Sequence, residues 1–273
     1  MQVSKSINSS RDPKTQLEFL DHFLNNDIPF QYVRFSDGEV EILCERLLQI
    51  TESVVEFRGT KVKSVYQAHD AKKFFPDEDI WLKAKLKESA TYITPTYIKG
   101  IPTKHNSDFE KGLLIGFNGG VEYNLSFSDL FMNNNYSTFT EKIKPVLLVK
   151  TNLVVANHQA KIGNFLTASL FPIPNNAFQK AKELTELFEE QLAQVQSNGI
   201  IVSSASSLSN IFGALTAEKR PDVTFIDVGT AINDMLGLPY GVRRYQRSYD
   251  FKKPWLSLKV LKYRLSSGYK MKW

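Results

Sequence analysis

Two apolar periods take turns along the chain, one helical and one strand-like. Leu17, Phe19, Leu20, Phe23 and Leu24 recur at helical spacing behind Asp12-Pro13, a pair suited to opening a helix. Asn25-Asn26-Asp27 ends that run, and Pro29–Phe35 then reads as a short strand of β-prone residues. From Val40 to Leu48 the spacing is helical again. The first predicted unit is therefore strand, loop, helix. Its loop, Ser36-Asp37-Gly38-Glu39, lies at the strand's C-terminal end, where open α/β sheets place their ligand sites.

Further along, residues 53–66 suit a strand or an edge hairpin. Glu78–Ala90 predicts a helix, and Thr91–Ile98 a strand entering the turn Gly100-Ile101-Pro102. Leu113–Gly120 fits either a strand with a flexible end or a helix closed by glycine. Pro145–Val149 and Leu153–Ala156 are buried-strand candidates. Phe178–Val195 is an amphipathic helix closed by Ser197-Asn198-Gly199. A strand at Gly199–Val202, a serine-rich turn, a helix over Leu208–Ala217 and a strand at Val223–Ile226 follow. This alternation predicts an α/β fold, a Rossmann-like and mostly parallel sheet flanked by helices, forming one domain over residues 1–250.

Composition adds bounds to that picture. A 273-residue chain that is 42% hydrophobic can build a sizeable core. The single cysteine, Cys44, excludes an internal disulfide framework and a cysteine-based zinc cluster, and its place on an apolar helical face suits core packing better than nucleophilic chemistry. No apolar run reaches the roughly 18–20 residues of a membrane span. The polar opening SKSINSSRDPKTQ is unlike a signal peptide, so a soluble, cytoplasmic protein is expected.

Charge is distributed unevenly. From Tyr240 to Trp273 there are ten basic residues against one acid, Asp250; removing these from the totals of 34 and 29 leaves 24 basic and 28 acidic residues before them. The body is thus acidic, about −4, and the end strongly basic, about +9. Residues 251–273 read as a basic amphipathic extension with Trp255, Leu258, Leu261 and Leu265 on one helical face. It suits peripheral contact with an anionic membrane at its inner face, contact with nucleic acid as the lesser alternative, or simple packing on the body.

The acids after the first strand carry the first candidate chemistry. Asp37 and Glu39, one residue apart, can both reach a divalent cation such as Mg²⁺ or Mn²⁺, which would hold a diphosphate by its oxygens. An ordinary helix start with a capping Asp and a first-turn Glu explains the same tripeptide. The turn holding Ser203, Ser204, Ser206 and Ser207 follows a strand and opens a helix, as an anion site would, or it supplies plain caps. Asn175 and Asn176 are candidates for hydrogen bonds to a donor's ribose, base or sugar, with Asn176 equally placed to cap the next helix. Asp227, at the end of a central strand, is the candidate base or hydroxyl-binding acid; Asp234 and Glu122 are weaker ones. The scattered His22, His69, His105 and His158 form no zinc-binding pair, and neither a G-x-S-x-G elbow nor a phosphate-binding G-x-x-x-x-G-K-[ST] loop is present.

Arg34-Phe35-Ser36-Asp37-Gly38-Glu39 resembles the RFGDGE signature of the GT-D glycosyltransferases, a bacterial family that elongates glycans. Tyr97–Pro102 is similar to that family's Y-x-x-G-x-P stretch, Ile173–Phe178 to its P-x-x-N-A-F element, and Phe225–Gly229 to its closing D-I-G-H. The order and spacing agree over about residues 12–236. Ser36 stands where the family has glycine, and Thr230 where it commonly has histidine. The resemblance implies that Asp37 and Glu39 are metal ligands and that Arg34 lies beside them, on a phosphate or in a salt bridge to the acidic loop. It implies a UDP-sugar donor, with glucose the expected hexose, and a glycan or lipid-linked glycan acceptor. A non-catalytic nucleotide- or glycan-binding module and a sugar transferase acting on nucleic acid are the alternatives.

Overall fold

The computed structural model describes residues 3–51, 54–57, 59–63, 71–102, 107–238 and 246. The basic extension at 251–273 lies outside the described residues. Helices α1 (Val3–Asn8) and α2 (Pro13–Asn25) lead into strand β1 (Gln31–Arg34) and helix α3 (Asp37–Leu43). Strands β2 (Leu48–Ile50), β3 (Val54–Phe57), β4 (Thr60–Lys63) and β5 (Lys72–Phe74) follow, then α4 (Ile80–Thr91), β6 (Tyr97–Ile101), α5 (Ser107–Phe117) and β7 (Leu125–Phe127). A short α6 (Tyr136–Thr138) passes through a π-helical turn at Phe139–Ile143 into α7 (Lys144–Lys150). The chain closes with β8 (Thr151–Asn157), β9 (Ser169–Ile173), α8 (Ala181–Gln194), β10 (Ile200–Ser203), α9 (Leu208–Lys219) and β11 (Thr224–Asp227).

Seven strands form one sheet in the order β7-β6-β1-β11-β10-β8-β9, every pairing parallel. Its central strands are buried on both faces, which is why they read as unbroken apolar runs. Alternation splits their side chains between two cores. Val33, Ile201 and Phe225 join the core beneath α4, α8 and α9, whereas Tyr32, Val202 and Ile226 join the one beneath α2 and α7. Phe188 of α8 and Phe212 of α9 stack with ring centroids 4.3 Å apart. Helix α9 lies so close on β1 that a Cβ on Gly213 would run into the Val33 side chain.

From β1 the chain steps to β6 and β7 on one side, and from β8 it builds the other side back to β11. The β1–β11 seam is therefore the sheet's switch point, and a crevice opens there beyond the strands' C-terminal ends. Between α3 and α4 the chain inserts a second sheet, antiparallel, in the order β4-β3-β2-β5. The hairpin read at 53–66 is its β3–β4 pair.

Local choices explain most boundaries. Asp12 accepts the Thr15 N–H at 2.9 Å and Pro13 opens α2. The ambiguous stretch at Leu113–Gly120 is a helix end: α5 stops at Phe117, and Gly119 and Gly120 follow at φ +66° and +77°. The strand expected from Thr91 begins only at Tyr97, after Pro95 and a turn. Pro145–Val149, expected as a strand, belongs to helix α7. A five-residue apolar run has no period of its own, and Pro145 follows directly on the π-helical turn at Phe139–Ile143, where the regular α-helical ladder is already interrupted. Cys44 ends α3 at its C-cap, half-buried rather than in the core.

Candidate functional site

The loops after β1, β10 and β11 meet at one cavity of about 480 Å³. Each is held by its own strand and by the helix or turn it starts. After β1, Ser36 is extended at φ −98°, so the residue standing in place of glycine is unstrained. Its N–H donates to Glu39 Oε2 at 3.0 Å, one half of a capping box that folds the acid back over the start of α3. Asp37 is exposed on the cavity wall, its Oδ1 accepting the Gly38 N–H at 3.0 Å.

The serine turn after β10 contributes from the other direction. Ser207 Oγ donates to Glu39 Oε1 at 2.6 Å, across 168 residues of sequence. Ser206 sits at φ +53° with its Oγ accepting from Lys72 Nζ at 2.9 Å. Ser203 Oγ and Ser209 Oγ are 2.8 Å apart, and Ser209 Oγ also accepts the Ala205 N–H at 3.1 Å, which fixes the turn from within. Helix α9 begins here, and the first N–H groups of a helix have no acceptor inside it. Ser207, at the N-cap position, makes no side-chain cap, so plain capping does not account for its hydroxyl.

Arg34 and Asp227 form the floor. Arg34 Nε donates to Asp227 Oδ2 at 3.1 Å and Nη2 to Oδ1 at 3.2 Å, with both side chains at most 10% exposed. This bidentate pair is the arginine's salt bridge, in place of the one expected with the acidic loop. Asp227 Oδ1 also accepts the Gly229 N–H at 2.9 Å. Burial pushes the Asp227 carboxyl above its ordinary value, and the Arg34 guanidinium opposes that. Gly229, at φ +50°, lies directly under the guanidinium, where a Cβ would collide with it.

Arg34, Asp37, Glu39, Ser204, Ser206 and Asp227 thus share the cavity wall. Asn175, Asn176 and Ser207 stand behind it. Asn175 Oδ1 accepts from Asn157 Nδ2 at 2.8 Å, and Asn157 lines the cavity; Ser207 holds Glu39. Asn176 is left-handed at φ 59° and makes no side-chain cap; its N–H donates to the Ala71 carbonyl at 3.2 Å. Glu122 pairs with Arg11, and Asp234 with Lys144 at 2.5 Å, both away from the cavity lining.

Sequence reasoning passed over Lys72, Asn157 and Asn233, all on the wall, and met Thr230, also there, only as a departure from the resembling family's histidine. Asn157 and Thr230 carried a usable signal, since each follows or closes a parallel strand at its C-terminal end. Lys72 carried none, because the inserted sheet that delivers it was legible only as a hairpin. That sheet also supplies an apolar side to the cavity through Leu48, Ile50, Val55 and Val62.

The donor set suits a hard divalent cation. Asp37 and Glu39 offer anionic oxygens with lone pairs left after their hydrogen bonds. Among the described residues no group of three His, Cys, Asp or Glu side chains converges. Two protein ligands would therefore share the ion with water and with oxygens of a bound molecule, as is usual for Mg²⁺. Among the described residues no helix is long and apolar enough to cross a membrane.

No protein-family model and no curated protein matches the chain. Solved structures that it resembles include one described as a selenomethionine-substituted domain of unknown function 1792, at TM-score 0.48 and 15% identity, covering 84% of this chain and 81% of that one. Another is described as that domain with a distinct glycosyltransferase fold, at TM-score 0.47 and 16% identity, covering 83% and 80%. A third, from Streptococcus sanguinis, is described as a new glycosyltransferase of the same domain, at TM-score 0.46 and 14% identity, covering 79% and 80%.

Proposed function

We propose that the chain is a metal-dependent glycosyltransferase that moves a hexose, glucose being the expected one, from a UDP-sugar to a hydroxyl of a glycan or glycoconjugate. The observation that carries this reading is the 2.6 Å bond from Ser207 Oγ to Glu39 Oε1. It joins an acidic loop fit for a cation to a turn fit for phosphate oxygens, at the switch point of a parallel sheet. A nucleoside diphosphate needs both. The motif resemblance across residues 12–236 supports the same class of enzyme.

In this reading the acceptor hydroxyl attacks the anomeric carbon as the bond to the diphosphate oxygen breaks, and the hydroxyl proton passes to a base, Asp227 being the candidate, leaving the glycoside and the nucleoside diphosphate as products. Asp37 and Glu39 would hold the divalent ion, whose chemistry is to offset charge on the departing diphosphate. Ser204 and Ser206 line the phosphate side of the cavity, and Ser207 keeps Glu39 in place. Asp227, held by Arg34 and Gly229 on the cavity wall, is the acid placed to meet a sugar or acceptor hydroxyl. Thr230 occupies the cavity wall where the resembling family has histidine, so no imidazole acts there.

A panel of nucleotide sugars incubated with the protein, with and without Mn²⁺, tests the proposal by the nucleoside diphosphate released. Release from a UDP-hexose that depends on the metal is the expected result. No release from any nucleotide sugar, with metal and glycan acceptors present, would overturn it.

A further inference from the structure

Among the described residues the cavity wall carries two basic side chains, and their situations differ. The Arg34 side chain is only 10% exposed and its fork is taken by Asp227. Lys72 is half-buried on β5, the edge strand of the inserted sheet, and its Nζ donates to Ser206 Oγ at 2.9 Å. A Cβ built on Gly38 would stand 3.5 Å from the same Nζ. The ammonium therefore sits between the acidic loop and the serine turn, the two segments that Ser207 and Glu39 join from behind. Among the described residues its hydrogen-bond partner is a neutral hydroxyl, and no ion pair ties it to a carboxylate. An ammonium has three donors, so two remain for a ligand.

We propose that Lys72 is a binding residue for the diphosphate of the nucleotide donor, reaching across the cavity from the inserted sheet. This rests on the glycosyltransferase reading above. A diphosphate entering beside Asp37 and Glu39 meets two like charges; Lys72 supplies a fixed opposite charge on the serine side, as a point charge rather than a fork. The strand is anchored for that task. Phe74 is fully buried in the main core, Lys72 pairs in register with Ile50, and the Asn176 N–H holds the Ala71 carbonyl. Asn176 is on this account a positioning residue, acting through β5.

Binding of UDP and of uridine to the wild type, Lys72→Gln and Lys72→Arg, at one fixed saturating Mn²⁺ concentration, separates the possibilities. Lys72→Gln keeps much of the side chain's reach and removes its charge. UDP should bind it tenfold or more weakly, while uridine, lacking phosphate, binds as before, and Lys72→Arg should regain most of the UDP affinity. The wild type's affinity for UDP should also fall more steeply with added NaCl than that of Lys72→Gln. Equal UDP affinity in the wild type and Lys72→Gln overturns the assignment of Lys72 and leaves the glycosyltransferase reading standing. Equal weakening of UDP and uridine overturns it too, by showing a distorted pocket. A wild type that binds no nucleoside diphosphate overturns both. Should Lys72→Gln melt early, the Lys72→Arg comparison and the salt dependence of the wild type decide.

Discussion

The two sheets of this molecule border one cavity and are built on opposite terms. At the seam of the large sheet, β10 and β11 are buried at every position and β1 at all but Arg34. In the inserted sheet, β4 is exposed throughout, β2 and β5 send Leu48 and Phe74 into the core, and Val55 of β3 packs against it half-buried. The seam fixes its polar groups by burial, so Arg34 and Asp227 must satisfy each other. The inserted sheet holds Lys72 near solvent, where a charge needs no protein partner and remains available to a ligand. A single cavity thus combines a rigid floor, where Arg34 and Asp227 match each other, with a wall where, among the described residues, Lys72 is paired with no carboxylate.

The largest effect expected from breaking this contrast is at the floor. Asp227→Asn leaves Arg34 charged, buried and unpaired, and should cost about 3–5 kcal/mol in urea unfolding. A loss below 1 kcal/mol would show that the seam is open enough to hydrate the arginine. Next come the acids of the wall. Asp37→Asn and Glu39→Gln should each lower metal-dependent turnover roughly a hundredfold or more, a size common when one charge-stabilising group is removed. Asp37 is exposed, so its variant should also melt like the wild type; wild-type turnover in both variants would remove the metal site from these loops.

A third effect belongs to the large sheet alone. Lys99, in the middle of β6, is 1% exposed, and its Nζ donates to the Ala90 carbonyl at 2.8 Å, near the C-terminal end of α4. Burial pulls its pKa down to about 7 from 10.5. Between those values the unfolded chain holds a proton that the folded chain lacks, so stability should rise with pH across this window. The slope is at most about 1.4 kcal/mol per pH unit, and below pH 7 both states are protonated and the contribution is flat. Urea unfolding at pH 7, 8 and 9 checks the slope, and Lys99→Met should flatten it. The smallest effect is expected on the outer hairpin. Val62 is 51% exposed, and Val62→Thr should change stability by no more than about 0.5 kcal/mol. A cost of core size there would show that the hairpin is packed as the seam is, and the contrast would fail.

What the sequence determined by itself is what a short window can hold. Alternating and unbroken apolar runs marked β1, β10 and β11, Asp12-Pro13 opened α2, and the acids of the first loop stood out because D-x-E after a strand is a local pattern. Where a window carried two answers, only packing chose between them. Pro145–Val149 became helix because it packs along its length against the core under α2, not because its residues prefer it. The site's working contacts were beyond any window: Ser207 meets Glu39 across 168 residues, Arg34 meets Asp227 across 193, and Lys72 meets Ser206 across 134. Strand order decides those meetings, since β11 lies between β1 and β10 and brings their loops to one crevice. The physical reason is that local preference is set by a residue's own backbone and neighbours, while pairing across the sheet is set by how two faces of apolar surface can be buried at once.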